Sequence, residues 1–229
     1  MNIDFIMSST LELLSAVPTT LSLVTISLSL GFILAIFLAL MKTSDSKIAR
    51  IIADVYVYYF RGTPLLVQMY LLYFGIGSLL SNMQSVKDSF MWDFISEPYW
   101  YAIFALMFNT AGYTAEILRS AITSVPKGQI ESAMALGFSR GHTMRRIILP
   151  QAFRIALPAY SNEAILMVKG SSLTSIITVM EITGVMSRLI AETYAVYELI
   201  ILAGAIYLLI NYIITRLFNY LEKRIQIPS

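Results

Sequence analysis

Residues 18–41 form a run of 24 without a single charge. A helix rises about 1.5 Å per residue and bilayer hydrocarbon is about 30 Å thick, so such a run is long enough to cross it. Four further apolar runs follow, at residues 55–80, 98–118, 155–180 and 196–215. The second is interrupted by Arg61 and the Gly62-Thr63-Pro64 that follows it. The third holds Glu116, the fourth Glu163 and Lys169, and the fifth Glu198 near its start. With 57% of residues hydrophobic, 13% charged and a mean hydropathy of +0.72, the chain has too little charge to clothe a water-facing globule. The expected fold class is an all-α membrane protein with five transmembrane helices.

The net charge of +2 says little, but its distribution orients the chain. Lys42, Lys47 and Arg50 follow the first run; Arg119, Lys127, Arg140, Arg145, Arg146 and Arg154 follow the third; Arg216, Lys223 and Arg224 sit in the tail. Positive charge accumulates on the cytoplasmic side, whereas residues 81–97 carry only Lys87 against Asp88, Asp93 and Glu97. Five spans then put the N-terminus on the periplasmic side and the C-terminus in the cytoplasm. The start Met-Asn-Ile-Asp lacks a basic n-region, so the first span is expected to be retained rather than cleaved. There is no cysteine, hence no disulfide framework or thiolate metal site. No inverted repeat relates the halves, and one such chain is not expected to form a transport route alone.

The inner segment between the third and fourth runs, residues 119–154, is about 36 residues long, which is long for a bundle connection. Ser124-Val125-Pro126-Lys127-Gly128 reads as a turn, and residues 129–136 read as a short helix with Ile130, Ala133 and Met134 on one side. A second short helix over 140–149 is expected to stop near Pro150, because proline disfavours the helical conformation in the residue before it. Together these elements make a docking surface facing the cytoplasm.

The residues of this segment carry a family likeness. Glu131-Ser132-Ala133, three residues, Gly137, nine residues, then Ile147-Ile148-Leu149-Pro150 resembles the E-A-A-x3-G-x9-I-x-L-P loop of ABC importer permeases, departing only at Ser132. Arg61 through Gln68, Tyr113 through Ile117, Ser124 through Gln129 and Leu157-Pro158-Ala159-Tyr160-Ser161-Asn162-Glu163 resemble segments of polar amino acid permeases, and the matches extend over residues 61–184. Within that family the Ser-Asn-Glu is most similar to the histidine, arginine, lysine, ornithine or opine type. Glutamine-type relatives tend to carry an amide there.

The resemblance implies a single permease domain over 1–229, with 119–154 as a coupling loop whose Glu131, Ser132, Ala133, Gly137, Ile147, Leu149 and Pro150 sit against a cytoplasmic ATPase. It also implies the partners: a second permease subunit, identical or a sister chain, two ATPase subunits, and a periplasmic or lipid-anchored amino acid-binding protein, all in a bacterial inner membrane. No Gly-x4-Gly-Lys-Ser/Thr phosphate loop occurs, so ATP and its magnesium belong on the partner ATPase and this chain needs no cofactor of its own. Nothing points to a metal site or to nucleic acid.

A charge at a helix centre costs about 2.5–3.5 kcal/mol on insertion scales, so Glu163, roughly 12 Å into its span, needs a reason to be there. It either receives a cationic substrate, with Asn162 beside it, or pairs with Arg61 at similar depth. Gly62, Thr63 and Pro64 are expected to unwind the second span, either as a packed kink or as a cavity wall whose freed N–H groups hold a substrate carboxylate. Asn109, Tyr113 and Glu116 share one helical face, expected to look inward, where Tyr113 and Glu116 either line the inner mouth of the route or bond to the partner subunit. Lys169 lies about 120° round the helix from Glu163 and is not expected to pair with it. His142 reads as solvated, and the Tyr and Trp side chains near span ends read as interfacial. The rival readings are an ion-coupled carrier or channel working through Glu163 and Lys169, a permease for neutral polar amino acids, and an intramembrane enzyme, for which no His-Glu-x-x-His is present.

Overall fold

The computed structural model describes residues 3–225, and among them every regular element is helical. Helix α1 (Ile3–Ser15) runs almost directly into α2 (Val17–Lys42), with Pro18 in the first turn of α2, where its missing N–H costs nothing. The two form one 40-residue rod, about 60 Å long and so about twice the hydrocarbon thickness. The first apolar run is thus the inner part of a longer element. After the turn at residues 43–46, with Ser46 accepting from the Ala49 N–H, come α3 (Lys47–Gly62) and α4 (Leu65–Ser81), which meet at an angle of 105°. The middle of α4, Leu71–Gly77, is wound as a π-helix.

Two single-turn helices, α5 (Gln84–Lys87) and α6 (Trp92–Ile95), lead to α7 (Pro98–Thr123). Helix α8 (Lys127–Ala135) lies in the basic inner segment. Then α9 (Arg140–Ile177) runs through a π-helical turn at Met144–Ile148 and finishes as a 3-10 turn at Ser172–Ile177. Thr178 takes a left-handed conformation (φ 69°), α10 (Ile182–Thr193) sets off at 48° to α9, and α11 (Val196–Ile225) completes the described chain.

Pro150 does not end a helix, contrary to the sequence expectation. Proline crowds the carbonyl four residues back, and that carbonyl belongs to Arg146, inside the π-helical turn, whose wider winding accommodates the ring so that the helix continues.

Helix α7 is the axis of the molecule, packed against α2, α3 and α9. Lipid tails are as apolar as leucine, so helices in a bilayer associate through close packing and interhelical hydrogen bonds rather than hydrophobic burial. The sequence supplies what close packing needs. Ser27, Gly31, Ala35 and Ala39 recur every fourth residue along α2, all buried, and face a core that includes Ala111 and Ala115 of α7. Ser27 also donates to the Ile103 carbonyl at 3.2 Å, and Tyr160 of α9 donates to the Leu28 carbonyl at 3.3 Å. Large side chains fill the other half of the core, where Leu13, Leu23, Ile103, Leu106, Ile182 and Leu199 are fully buried.

Two elements, the α1–α2 rod and α11, are long and apolar enough to cross a membrane individually, and each bent pair, α3–α4 and α9–α10, passes the same test jointly. The α7 helix, at 26 residues about 39 Å long, is also long enough to cross but is less apolar than these.

Candidate functional site

The elbow between α3 and α4 exposes backbone groups that a continuous helix would have paired. Thr63 and Pro64 are extended, with ψ of 145° and 136°. Two amides close the accounts on the carbonyl side. The Gln68 Nε2 donates to the carbonyls of Phe60 (3.0 Å) and Thr63 (3.1 Å) and to Thr63 Oγ1 (2.8 Å), and Asn109 Nδ2 donates to the Phe60 carbonyl (3.2 Å) and to Gln68 Oε1 (3.0 Å). Gln68 is 2% exposed. On the N–H side, Val67 and Gln68 donate to the Pro64 carbonyl, leaving the N–H groups of Leu65 and Leu66 outside the ladder. The break is therefore a built bend with the carbonyls of Phe60, Thr63 and Pro64 filled and the first donors of α4 free. A Cβ at Gly62 would meet nothing within 4 Å, so the exposed position at the bend is open.

Arg61, just before the bend, does not pair with Glu163. Its guanidinium lies 5.3 Å from the centre of the Tyr113 ring, and the Tyr113 hydroxyl reaches toward the Arg61 carbonyl at 3.5 Å. Both line a cavity of about 610 Å³ with Lys42, Asp54 and Glu116. Glu116 is ion-paired there: Arg119 Nε donates to Oε1 at 2.7 Å, and Lys42 Nζ stands 2.9 Å from both Glu116 Oε2 and Asp54 Oδ1. Asn109, Tyr113 and Glu116 do share the α7 face turned to the elbow.

Glu163 sits on α9 and is 6% exposed. The Thr110 hydroxyl of α7 donates to its Oε1 at 2.9 Å, and no cationic group among the described residues lies within the 4.0 Å of an ion pair. Arg61 acts on it only through space. Asn162 is exposed on the next position, and Lys169 is exposed farther along the helix.

Glu181, which the sequence did not single out, is also fully buried, but it is spent structurally. It caps α10, accepting from the Gly184 N–H at 3.0 Å on Oε1 and from the Tyr207 hydroxyl at 2.6 Å on Oε2. A carboxylate directly before Ile182-Thr183-Gly184, at the place an N-cap would take, was the available signal.

In the basic segment between α7 and α9, α8 and the base of α9 enclose a groove of about 830 Å³ lined by Ser132, Ala133, Phe138, Ile147, Pro150 and Gln151. Gln151 Nε2 spans it, donating to Gln129 Oε1 (2.6 Å) and the Ile147 carbonyl (3.1 Å). Gly137 ends α8 at φ 84°, with Phe138 N donating back to the Ala133 carbonyl and Gly137 N to Met134, both at 3.0 Å. That pattern requires a left-handed residue after the helix, which is why a glycine stands there. Of the expected coupling residues, Ser132, Ala133, Ile147 and Pro150 line the groove, Glu131 lies exposed beside it, and Leu149 turns instead into a separate apolar groove with Phe32 and Phe153.

The family model described as a binding-protein-dependent transport system inner membrane component matches residues 27–227. The chain belongs to this family. Among relatives of this transport component, the octopine transport system permease protein OccM of Rhizobium radiobacter is 50% identical over 95% of this chain and 87% of its own. The histidine/lysine/arginine/ornithine transport system permease protein HisM of Escherichia coli K12 is 40% identical over 92% and 87%. Among solved structures, a chain of an amino acid ABC transporter with histidines superposes with a TM-score of 0.86 at 32% identity, covering 98% of this chain and 99% of that one. A methionine ABC transporter in an inward-facing conformation gives 0.77 at 16% identity over 94% and 97%, a likeness of fold.

The intramembrane-enzyme reading, set aside above for want of a catalytic motif, does meet one string in this transport component, contrary to the expectation that no G-x-S-x-G occurs: Gly137-Phe138-Ser139-Arg140-Gly141 has that spacing. A nucleophile elbow needs a strand running into a helix. Here the segment joins two helices, and the exposed Ser139 hydroxyl accepts from the His142 N–H as the cap of α9.

Proposed function

We propose that this chain is the membrane-spanning subunit of an ATP-driven importer that carries polar amino acids with a cationic side chain into the cytoplasm. One observation carries the cationic preference. Glu163 is a carboxylate at membrane depth, 6% exposed, with a hydroxyl donor on one oxygen and no cation within ion-pair distance among the described residues. An ionised group held there is costly unless a partner arrives. A guanidinium, ammonium or imidazolium supplies that partner, while Arg61, the free N–H groups of Leu65 and Leu66, and the open bend at Gly62, Thr63 and Pro64 suit the carboxylate end, with Tyr113 and Asn162 alongside. The names of the relatives, octopine and histidine/lysine/arginine/ornithine permeases, support the same substrate class.

In this reading the chain crosses the bacterial inner membrane five times, through the α1–α2 rod, α3–α4, α7, α9–α10 and α11, with its N-terminus outside. It forms one permease domain over 1–229. A second permease subunit closes the route over the elbow, and two ATPases that bind ATP and magnesium dock at residues 119–154. A binding protein delivers the substrate. The chain itself catalyses nothing.

The test is arginine and glutamine binding to the purified membrane complex without its binding protein, so that the latter's affinity does not set the result. Glu163→Gln is expected to raise the arginine Kd at least tenfold, the order of one lost charge-assisted bond, and to leave glutamine unchanged. An unaltered arginine Kd refutes the cationic assignment. Arginine uptake by proteoliposomes lacking ATP would favour an ion-coupled carrier instead.

A further inference from the structure

Thr110 presents its hydroxyl to Glu163, and a threonine inside a helix is not obliged to. Its two populated rotamers differ in where the hydroxyl goes, and in one of them the hydroxyl is consumed by a carbonyl one turn back on its own helix. What selects the other here is visible on α2. Gly31 faces Thr110 so closely that a Cβ built at Gly31 would stand 2.4 Å from Thr110 Cγ2, and 3.1 Å from the Met107 carbonyl oxygen. The threonine methyl fills the space that a side chain at residue 31 would need. With the methyl lodged against Gly31, the hydroxyl is turned to Glu163 Oε1 at 2.9 Å, and Thr110 is fully buried.

We infer that Gly31 is a positioning residue for Glu163, the carboxylate that receives the substrate's cation: by admitting the Thr110 methyl it fixes the hydroxyl that orients that carboxylate. The inference rests on Glu163 meeting the substrate. It also assigns the glycine in an otherwise uninterrupted apolar helix a task beyond close packing. Neighbouring Asn109 holds the elbow through Gln68 and the Phe60 carbonyl, so consecutive residues of α7 fix the two sides of the site, and Gly31 bears on only one of them.

The experiment is the arginine Kd of the assembled complex, measured without binding protein, for four variants beside Glu163→Gln. Gly31→Ala forces the methyl out and is expected to raise the Kd roughly tenfold, as is Thr110→Val, which keeps the shape and deletes the donor. Thr110→Ser keeps the donor but loses the methyl that fixes its rotamer, so its Kd should fall between those of the wild type and Thr110→Val, and Gly31→Ala/Thr110→Ser, in which the new Cβ has no methyl to displace, should bind arginine more tightly than Gly31→Ala. Only the Met107 carbonyl contact then remains to be absorbed. A loss confined to arginine, with the glutamine Kd of the same variant less affected, separates misorientation of Glu163 from general damage to the fold.

If Glu163→Gln raises the Kd but Gly31→Ala does not, or if the serine fails to rescue, the positioning role is wrong and the substrate reading survives. If Glu163→Gln is without effect, both fall. Should Gly31→Ala not assemble, the double variant decides. Assembly with arginine binding like that of Thr110→Ser supports the role; a Kd raised well above that of Thr110→Ser, or failed assembly, places the constraint in the backbone contact and overturns it.

Discussion

Two buried carboxylates with opposite duties show how far single residues could be read. Glu163 was legible because it interrupts an apolar run and sits in a Ser-Asn-Glu string. Glu181 was not, because it lies where the run ends and looks like the start of a polar loop. The structure separates them by donors: Glu181 has one on each oxygen, Glu163 on Oε1 alone. What the sequence could not supply was the partner of either, since Thr110 and Tyr207 are remote in the chain and unremarkable in type. The contrast gives a prediction for Tyr207→Phe. Losing the phenol strands a buried carboxylate oxygen and also removes the partner of Thr183 Oγ1, at 2.9 Å. The expected cost is about 1–3 kcal/mol, seen as a lower denaturation midpoint of the detergent-solubilised complex, with no change in the arginine Kd. A shifted Kd at unchanged stability would move Glu181 into the substrate site.

At the scale of elements, turns were read better than continuations. Gly62-Thr63-Pro64 announced a break and the structure has one, yet the Gln68–Asn109 bracing that turns a weak kink into a built bend pairs side chains on different helices and leaves no periodic trace. Pro150 was misjudged for a related reason: a local proline rule ignores the π-helical turn before it. The inner loop was more legible, because Gly137 meets a local backbone requirement. A Cβ there would touch nothing within 4 Å, so the constraint is conformational rather than steric. Gly137→Ala therefore forces a left-handed alanine at a cost of about 1 kcal/mol, roughly fivefold in the affinity of the ATPase for the permease. Gly137→Asn, which tolerates that conformation, should dock closer to the wild type. Titrating purified ATPase onto permease-only membranes reads both, and equal affinity for all three chains would remove the loop's geometry from the docking account.

For the whole molecule, hydropathy reports contact with lipid, and that explains its uneven record here. The α1–α2 rod and α11 stand out because they face outward; exposed apolar side chains such as Phe37, Ile201 and Leu208 line them. The central α7 helix is wrapped by α2, α3 and α9, so it can carry Asn109, Thr110, Tyr113, Glu116 and Arg119 at no cost to solvation by lipid, and its span is hidden from a length-and-composition test. Orientation, by contrast, rests on loop charge, and the cysteine-free sequence makes it directly measurable. Phe90 (95% exposed) lies between α5 and α6, Tyr194 (86%) between α10 and α11, and Leu136 (78%) just after α8. With five crossings and the N-terminus outside, Phe90→Cys and Tyr194→Cys face the periplasm and Leu136→Cys the cytoplasm. A membrane-impermeant maleimide should therefore label the first two in spheroplasts and the third only after lysis. Labelling of Leu136→Cys in intact spheroplasts would invert the topology, whereas protection of Tyr194→Cys alone would leave α9–α10 turning back before the outer surface, which reduces the crossings and places the 48° bend inside the bilayer.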